Sequence, residues 1–160
     1  MKAEGEFAQV AEYLKGGIST ATTLLEIGDH DLIIMLTDIS AEHDDLEYLN
    51  EYAPQAEDLA KQLDHPLYQA ISHRALGVAN RLKSEYKQAE NRLTKALEIF
   101  EELDTNWQLG RTYYEFGQLF AAQDKPTEAK KNFEQATQRF ENMGAIPDLE
   151  RTQAALKAIK

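Results

Sequence analysis

The chain has 160 residues and a net charge of −11, with 28 Asp and Glu against 17 Lys and Arg. This acidity argues against nucleic-acid binding, which needs a basic face, and it fits either solubility or attraction of a basic partner. Cysteine is absent, which excludes disulfides and thiolate chemistry, and the longest strongly apolar run, residues 32–36, is far short of the ~20 residues that span a membrane.

The first predicted element is a helix in residues 5–25, where Phe7, Val10 and Leu14 follow at helical spacing. The residues after Met1-Lys2 are acidic and polar, so we expect no signal peptide and a cytoplasmic protein. No partner helix precedes this element. We interpret it either as an N-terminal cap or as the second half of a repeat that begins in a larger protein.

Residues 27–64 form a degenerate copy of a 40-residue pattern that is clearer further along the chain. Thr37 stands here where the clear copies have glycine. Pro54 falls inside the second predicted helix of this copy, where proline removes a hydrogen bond and clashes with the preceding turn. We therefore expect this helix to break or kink at Pro54.

Residues 67–106 and 107–146 are two clear copies of the pattern, which indicates stacked supersecondary units. Within each copy, apolar residues at three- and four-residue spacing predict a helix A, a short polar turn and a helix B. The positions that match at an offset of 40 are Gly77 and Gly117, Ala89 and Ala129, Leu93 and Phe133, Ala96 and Ala136, and Phe100 and Phe140.

The matching small residues predict how each hairpin closes. Glycine inside a helix costs about 1 kcal/mol relative to alanine, so Gly77 and Gly117 indicate a close contact between helix A and helix B. Aromatic residues of the second copy, among them Tyr114 and Trp107, are expected to pack in the core. Residues 147–160 fit a further helix A that starts at Pro147 and caps the stack.

These copies resemble the tetratricopeptide repeat (TPR) family. The residues that carry the resemblance are Leu76-Gly77, Ala89, Leu93 and Ala96 in the first copy, and Phe116-Gly117, Phe120, Ala129, Phe133 and Ala136 in the second. His73, Asn80 and the 40-residue period, against the usual 34, depart from the family pattern. The long repeats are similar to those of bacterial multidomain signalling proteins.

The resemblance implies a single all-α domain over residues 1–160, a right-handed α–α superhelix of antiparallel helix pairs, and no cofactor. It also implies that the A helices line a concave face, where a protein or peptide partner binds. By the family's ligand-facing positions, the candidate binding residues are Arg74, Val78, Arg81, Arg111, Tyr114, Gln118 and Arg151.

The arginines among these candidates predict a cationic groove for an extended or helical peptide that carries carboxylates. The alternative is that they pair with Asp and Glu of this chain. Acidic residues are available for such pairs, because residues 1–66 hold 15 Asp and Glu against 3 Lys and Arg. The resemblance implies an interaction scaffold of a bacterial signalling or regulatory system rather than an enzyme.

Two other functions are compatible with the sequence. Apolar end residues (Phe7, Val10, Leu14, Leu156 and Ile159) could pair between chains in a homodimer. The pairs His30-Asp31 and His43-Asp44 resemble the dyads of metal-dependent phosphohydrolases, although only His65 and His73 remain as further ligands. Phosphate loops, nucleophile elbows and HExxH motifs do not occur.

Overall fold

The computed structural model describes residues 9–16 and 29–159, which form helices joined by short turns. The helices are α1 (residues 9–16), α2 (Asp29–Glu42), α3 (Leu46–Gln62), α4 (Pro66–Leu82), α5 (Tyr86–Glu102), α6 (Asn106–Ala122), α7 (Pro126–Met143) and α8 (Ile146–Ala158). The expected all-α solenoid of antiparallel helix pairs is confirmed. Of the predicted first helix, residues 9–16 are helical, and the rest of the range 5–25 lies outside the described residues.

The helices alternate between an inner and an outer layer. α2, α4, α6 and α8 are the A helices, and α3, α5 and α7 are the B helices. α2 packs on α4 and α4 on α6, whereas no comparable contact joins one B helix to the next among the described residues. The A helices therefore crowd together on the inner, concave side, and the B helices spread apart on the outer side.

Every turn between described helices from α2 to α8 has the same geometry. One residue per turn has a positive φ, at Asp44, Asp64, Ser84, Asp104, Asp124 and Gly144. These residues recur every 20 positions, so each helix and its turn form one unit. In each turn the next residue's N–H donates to the carbonyl five residues back, as from His65 to Ala60 and from Thr105 to Phe100. This is the Schellman arrangement, which satisfies the last carbonyls of a helix.

The recurrence of glycine at the same position of both clear copies has a steric cause. A Cβ on Gly117 would lie 2.6 Å from the Phe133 ring, and one on Gly77 would lie 2.9 Å from the Leu93 side chain. Both Phe133 and Leu93 are fully buried on the helix B of the same hairpin. The expected close contact between helix A and helix B is therefore confirmed. Gly110 makes a third such contact, because its Cβ would lie 2.7 Å from Phe140.

In the degenerate repeat, different residues form the contact between helix A and helix B. Thr37 replaces the glycine, and the position that corresponds to Leu93 is Ala53; both are fully buried. A larger residue on helix A is thus matched by a smaller one on helix B. Ala11 and Leu14 of α1 are buried in one cluster with Leu36, so α1 covers this repeat at its outer end.

The prediction that Pro54 breaks its helix is wrong. α3 runs without interruption from Leu46 to Gln62. Pro54 is exposed, and so is Asn50, whose carbonyl has lost its helical donor, so this part of the backbone lies on the side of α3 that solvent can reach. Tyr52 and Ala53 on one side of Pro54 and Ala56 on the other are buried, and this packing keeps the helix together.

We expect Gly117→Ala to destabilise the fold. Forcing a methyl group against the buried Phe133 ring costs about 3 kcal/mol, and the better helix propensity of alanine returns about 1 kcal/mol. The free energy of unfolding, measured by urea denaturation, should fall by about 2 kcal/mol. Gly77→Ala is the matched comparison and should lose less, because its Cβ would lie 2.9 Å from the Leu93 side chain, whereas the Cβ at Gly117 would lie 2.6 Å from a rigid ring. Equal stability of Gly117→Ala and the parent would contradict the steric explanation.

The turn geometry leads to a second prediction, at Ser84. This residue has φ of 62° and is exposed, so a left-handed backbone is imposed on it without compensating packing. Ser84→Gly should raise the free energy of unfolding by about 0.5–1 kcal/mol, because glycine adopts this conformation without strain. Ser84→Ala removes the same hydroxyl but keeps the strain and should bring no gain. A gain in the alanine variant would point to the hydroxyl instead.

Candidate partner-binding face

Two of the candidate arginines lie at the centre of the inner side and are buried. Arg74 of α4 is 1% exposed and donates to Oδ1 of Asp38 at 2.8 Å and to the backbone carbonyl of Gln108 at 3.2 Å. Arg111 of α6 is 4% exposed and donates to Oδ2 of Asp38 at 2.7 Å and to Glu42 at 3.3 Å. One carboxylate of α2 thus joins two later A helices.

The other two arginines lie closer to solvent. Arg81, at the end of α4, pairs with Asp44 and lies 3.7 Å from Oε2 of Glu115. Arg151 of α8 pairs with Glu42 at 3.3 Å and with Asp148 at 3.7 Å. We call Arg74, Arg81, Arg111 and Arg151 the arginine row.

The remaining candidates belong mainly to the core of the inner side. Val78 is fully buried between repeats. Tyr114 is 8% exposed, packs on Phe133 with ring centres 5.5 Å apart, and accepts a hydrogen bond from Gln118 at 2.7 Å. The guanidinium of Arg151 lies 4.3 Å from the centre of the Tyr114 ring. The structure therefore brings all the candidate residues to one side of the solenoid and pairs each arginine with a carboxylate of this chain.

These carboxylates come largely from the end of α2 and the turn after it. Asp38, Glu42 and Asp44 together contact arginines of all three following A helices. The arrangement is the internal ion pairing that was the alternative to a cationic groove. Glu42 was not expected at this site, and the acidic character of residues 1–66 is the signal that pointed to such a partner.

Burial and the neighbouring charges have opposite effects on the pKa of Asp38. Burial alone would raise the pKa of its carboxyl, but the guanidinium groups of Arg74 and Arg111 outweigh it and hold the pKa below its usual value. Burial lowers the pKa of Arg74 to about 10, with a further contribution from the positive charge of Arg111. At neutral pH all three groups are therefore charged.

The pKa of Glu115 moves upward. Burial, helped by the nearby charge of Asp44, raises the pKa of Glu115 to about 7, even though Arg81 opposes the shift. Its Oε2 has no hydrogen-bond partner among the described residues, and the same is true of Nε of Arg81 and Nε of Arg151. Unpaired buried polar atoms of this kind cost about 1–3 kcal/mol each.

The residues proposed for metal chemistry are dispersed. His65 caps α4, where its Nδ1 accepts from the backbone N–H of Tyr68 at 3.4 Å, and His43 contacts the carbonyl of Ile39. Asp31 accepts a hydrogen bond from the Tyr68 hydroxyl. Over residues 9–16 and 29–159, no three His, Asp or Glu side chains come together as a metal site would require.

The apolar ends proposed for dimerisation are partly covered. Leu14 is buried against the degenerate repeat, and Leu156 and Ile159 are half-buried against the core of the last repeat. Val10 is 44% exposed, while Phe7 lies outside the described residues. Trp107, expected in the core, is 43% exposed, and its ring lies under the Arg111 guanidinium and donates to Asp148. The part of the chain that the structure describes contains no helix with the length and hydropathy of a membrane span.

Comparison with known proteins agrees with this architecture. Residues 68–142 match the family model of the tetratricopeptide repeat, and the resemblance seen in the sequence is thereby confirmed. The crystal structure of BtubC (BKLC) from P. vanneervenii is similar over 98% of this chain and 72% of that one, with a TM-score of 0.61 and 19% identity. That similarity concerns the fold. None of the curated proteins matches the sequence.

The raised pKa of Glu115 leads to a prediction on pH dependence. Between about pH 4.5 and 7 the folded state keeps a proton that the unfolded state releases, so stability falls as the pH rises through this window. The neutral variant Glu115→Gln removes this pH dependence of stability. It should be more stable than the parent by about 2–3 kcal/mol at pH 8 and about equally stable at pH 5.

Chemical denaturation at the two pH values measures this difference. Glu90→Gln, on the exposed side of α5, removes one carboxylate from the surface and serves as the control for net charge. It should change stability by less than about 0.5 kcal/mol at either pH. A Glu115→Gln variant that is less stable than the parent at pH 8 would show that the charge of Glu115 supports the fold.

Proposed function

We propose that this chain is a protein-interaction module that holds a segment of a partner polypeptide against its inner side. TPR domains in general mediate protein–protein interactions and form a scaffold class without catalytic activity. The 40-residue repeat, similar to those of bacterial multidomain signalling proteins, supports a place in such a regulatory system. A binding role also fits the lack of a catalytic motif in the sequence.

The observation that carries the proposal is that Arg81 and Arg151 are the least buried members of the arginine row and are incompletely hydrogen-bonded. Their side chains are 11% and 26% exposed. Nε of Arg81 and Nε of Arg151 are donors, and Oε2 of Glu115 is an acceptor. These three atoms are covered, so a ligand contacts the two arginines through the exposed part of their side chains, and a peptide main chain offers a carbonyl acceptor to a guanidinium at every residue.

The charge balance of the inner side refines the kind of partner. The four arginines of the row face five carboxylates, from Asp38, Glu42, Asp44, Glu115 and Asp148. An acidic side chain of a partner must therefore compete with carboxylates already in place. A segment recognised through its main chain avoids that competition, so we favour this mode over the cationic groove expected from the sequence.

The test combines cross-linking with affinity measurement. A photoreactive amino acid in place of Gln118, which is half-buried on the inner side, should capture a partner peptide in the native host, and one in place of Lys131, exposed on α7, should not. The captured segment is then synthesised and titrated. Arg81→Ala combined with Arg151→Ala should weaken its binding at least about tenfold, the loss expected from two charge-assisted hydrogen bonds.

The matched control is Lys87→Ala combined with Lys131→Ala, two exposed cations of the outer helices. This variant should bind the segment as the parent does. Equal weakening by both variants would show that overall charge causes the effect. Unchanged binding by the Arg81 and Arg151 variant would show that the partner does not bind at these arginines. Sedimentation over a range of protein concentrations tests the alternative function, self-association. A dimer that persists on dilution would support that alternative.

A further inference from the structure

A cleft on the outer side of the solenoid has a charge opposite to that of the whole chain. It lies between the B helices α3 and α5, with α4 beneath, and encloses about 560 Å³. The residues of this cleft that matter here are Glu57, Lys61, His73, Arg92 and Lys95. Three of them are cations and one is a carboxylate, so the cleft is positive in a protein of net charge −11.

The contacts inside the cleft leave positive charge in excess. The Arg92 guanidinium donates to Oε1 of Glu57, and its Nη1 lies 2.9 Å from Nδ1 of His73. Nζ of Lys61 lies 3.4 Å from the other oxygen of Glu57. Lys95 has no ion pair among the described residues. A single carboxylate thus serves two cations, while a third has none.

His73 takes part as a neutral acceptor. Burial lowers the pKa of His73, and the charges of Arg92, Lys95 and Lys61 lower it further against the opposing effect of Glu57. The imidazole is therefore uncharged at neutral pH, and its Nδ1 can accept the hydrogen bond that fixes the Arg92 guanidinium. Arg92 is held in place by two partners and remains 31% exposed to the cleft.

The fold does not require these cations. In the next repeat, 40 residues further on, the positions of Lys61, Arg92 and Lys95 hold Glu101, Asn132 and Gln135. The backbone there has the same helices, so the packing of a hairpin onto its neighbour is compatible with acidic or neutral residues at these places. The next repeat lacks these three cations at the corresponding positions, so the stability of the fold does not explain their presence here.

We propose that this cleft binds a phosphate monoester. Such a group carries about 1.5 to 2 negative charges at neutral pH and three strong acceptor oxygens. The excess of two positive charges and the fixed fork of Arg92, flanked by two ammonium groups, match this better than they match a single carboxylate, since Glu57 already fills the carboxylate position. The site faces away from the arginine row, so it is independent of the inner-side function.

The phosphate monoester can come from a phosphorylated residue of a protein or from a free metabolite, and two probes separate these sources. O-phosphoserine and a short peptide with one phosphoserine are titrated into the full chain at low salt, and backbone amide shifts of residues around His73 and Arg92 are followed by NMR. Both probes should shift these amides in a saturable way. Tighter binding of the peptide by about tenfold or more indicates a protein source, and equal affinity indicates a free ester.

Two variants with opposite expected effects test the cleft itself. Lys95→Glu should weaken O-phosphoserine at least about tenfold, because it turns an attraction at short range into a repulsion. Glu57→Gln should strengthen binding about threefold or more, since it removes the competing carboxylate. Lys131→Glu makes the same charge change as Lys95→Glu on the next outer helix and should leave the affinity within about twofold.

The proposal is overturned if the amides around His73 and Arg92 do not shift, if Lys95→Glu and Lys131→Glu weaken binding alike, or if Glu57→Gln weakens it. Circular dichroism of each variant confirms that the helices are intact before affinities are compared. The Arg81→Ala and Arg151→Ala variant should bind O-phosphoserine as the parent does. Its behaviour separates failure of this site from failure of the inner-side function.

Discussion

The shared carboxylate of Asp38 is the contact on which the inner side of the solenoid depends. It lies 2.8 Å from the guanidinium of Arg74 and 2.7 Å from that of Arg111, and both arginines are almost completely buried. A buried ion pair is not inherently more stabilising than apolar packing of the same volume, but removal of one partner costs roughly 3–5 kcal/mol because the other charge is left without compensation. Asp38 of α2 is therefore a shared partner of α4 and α6, and its loss would leave two buried cations without compensation.

This arrangement also limits what the inner side can recognise. Asp38, Glu42 and Asp44 belong to the same chain as the arginines and are therefore present at a high effective concentration, which an acidic partner has to overcome. Arg81 and Arg151 have Nε groups that these carboxylates do not reach. Recognition through the exposed part of these two side chains leaves the buried ion pairs of Arg74 and Arg111 intact. The internal pairs thus favour partners that add to the network over partners that replace part of it.

Much of the fold and part of the site could be predicted from the sequence. The recurrence of Gly77 at Gly117 predicted the close helix pairs, because a residue without a side chain lets two helices approach each other. The family's ligand-facing positions predicted that the arginine row lies on one side. The partners of that row were harder to predict, since they come mainly from the degenerate repeat. There Thr37 replaces the glycine of the clear copies and Ala53 replaces their larger apolar residue, which obscures the pattern. The short polar turns within the two clear copies were predicted, but the left-handed residue in each turn and its 20-residue recurrence were not, because aspartate and serine occupy positions where glycine is the usual signal. Pro54 was misjudged because its effect depends on exposure, which the sequence does not give directly.

The convergence of the A helices on the end of α2 has a consequence on the opposite side. Helix pairs whose inner members are drawn together must separate at their outer members, and clefts open between successive B helices. At the floor of one such cleft lies His73, fixed against Arg92; at the corresponding place in the next repeat lies Tyr113, covered by the guanidinium of Arg139 at 5.3 Å. The repeated positions, such as the two glycines and their aromatic or aliphatic partners, maintain the backbone and therefore resemble each other. The positions at which the two copies differ are free of that requirement, and it is there that the chemistry of a repeat protein is to be sought.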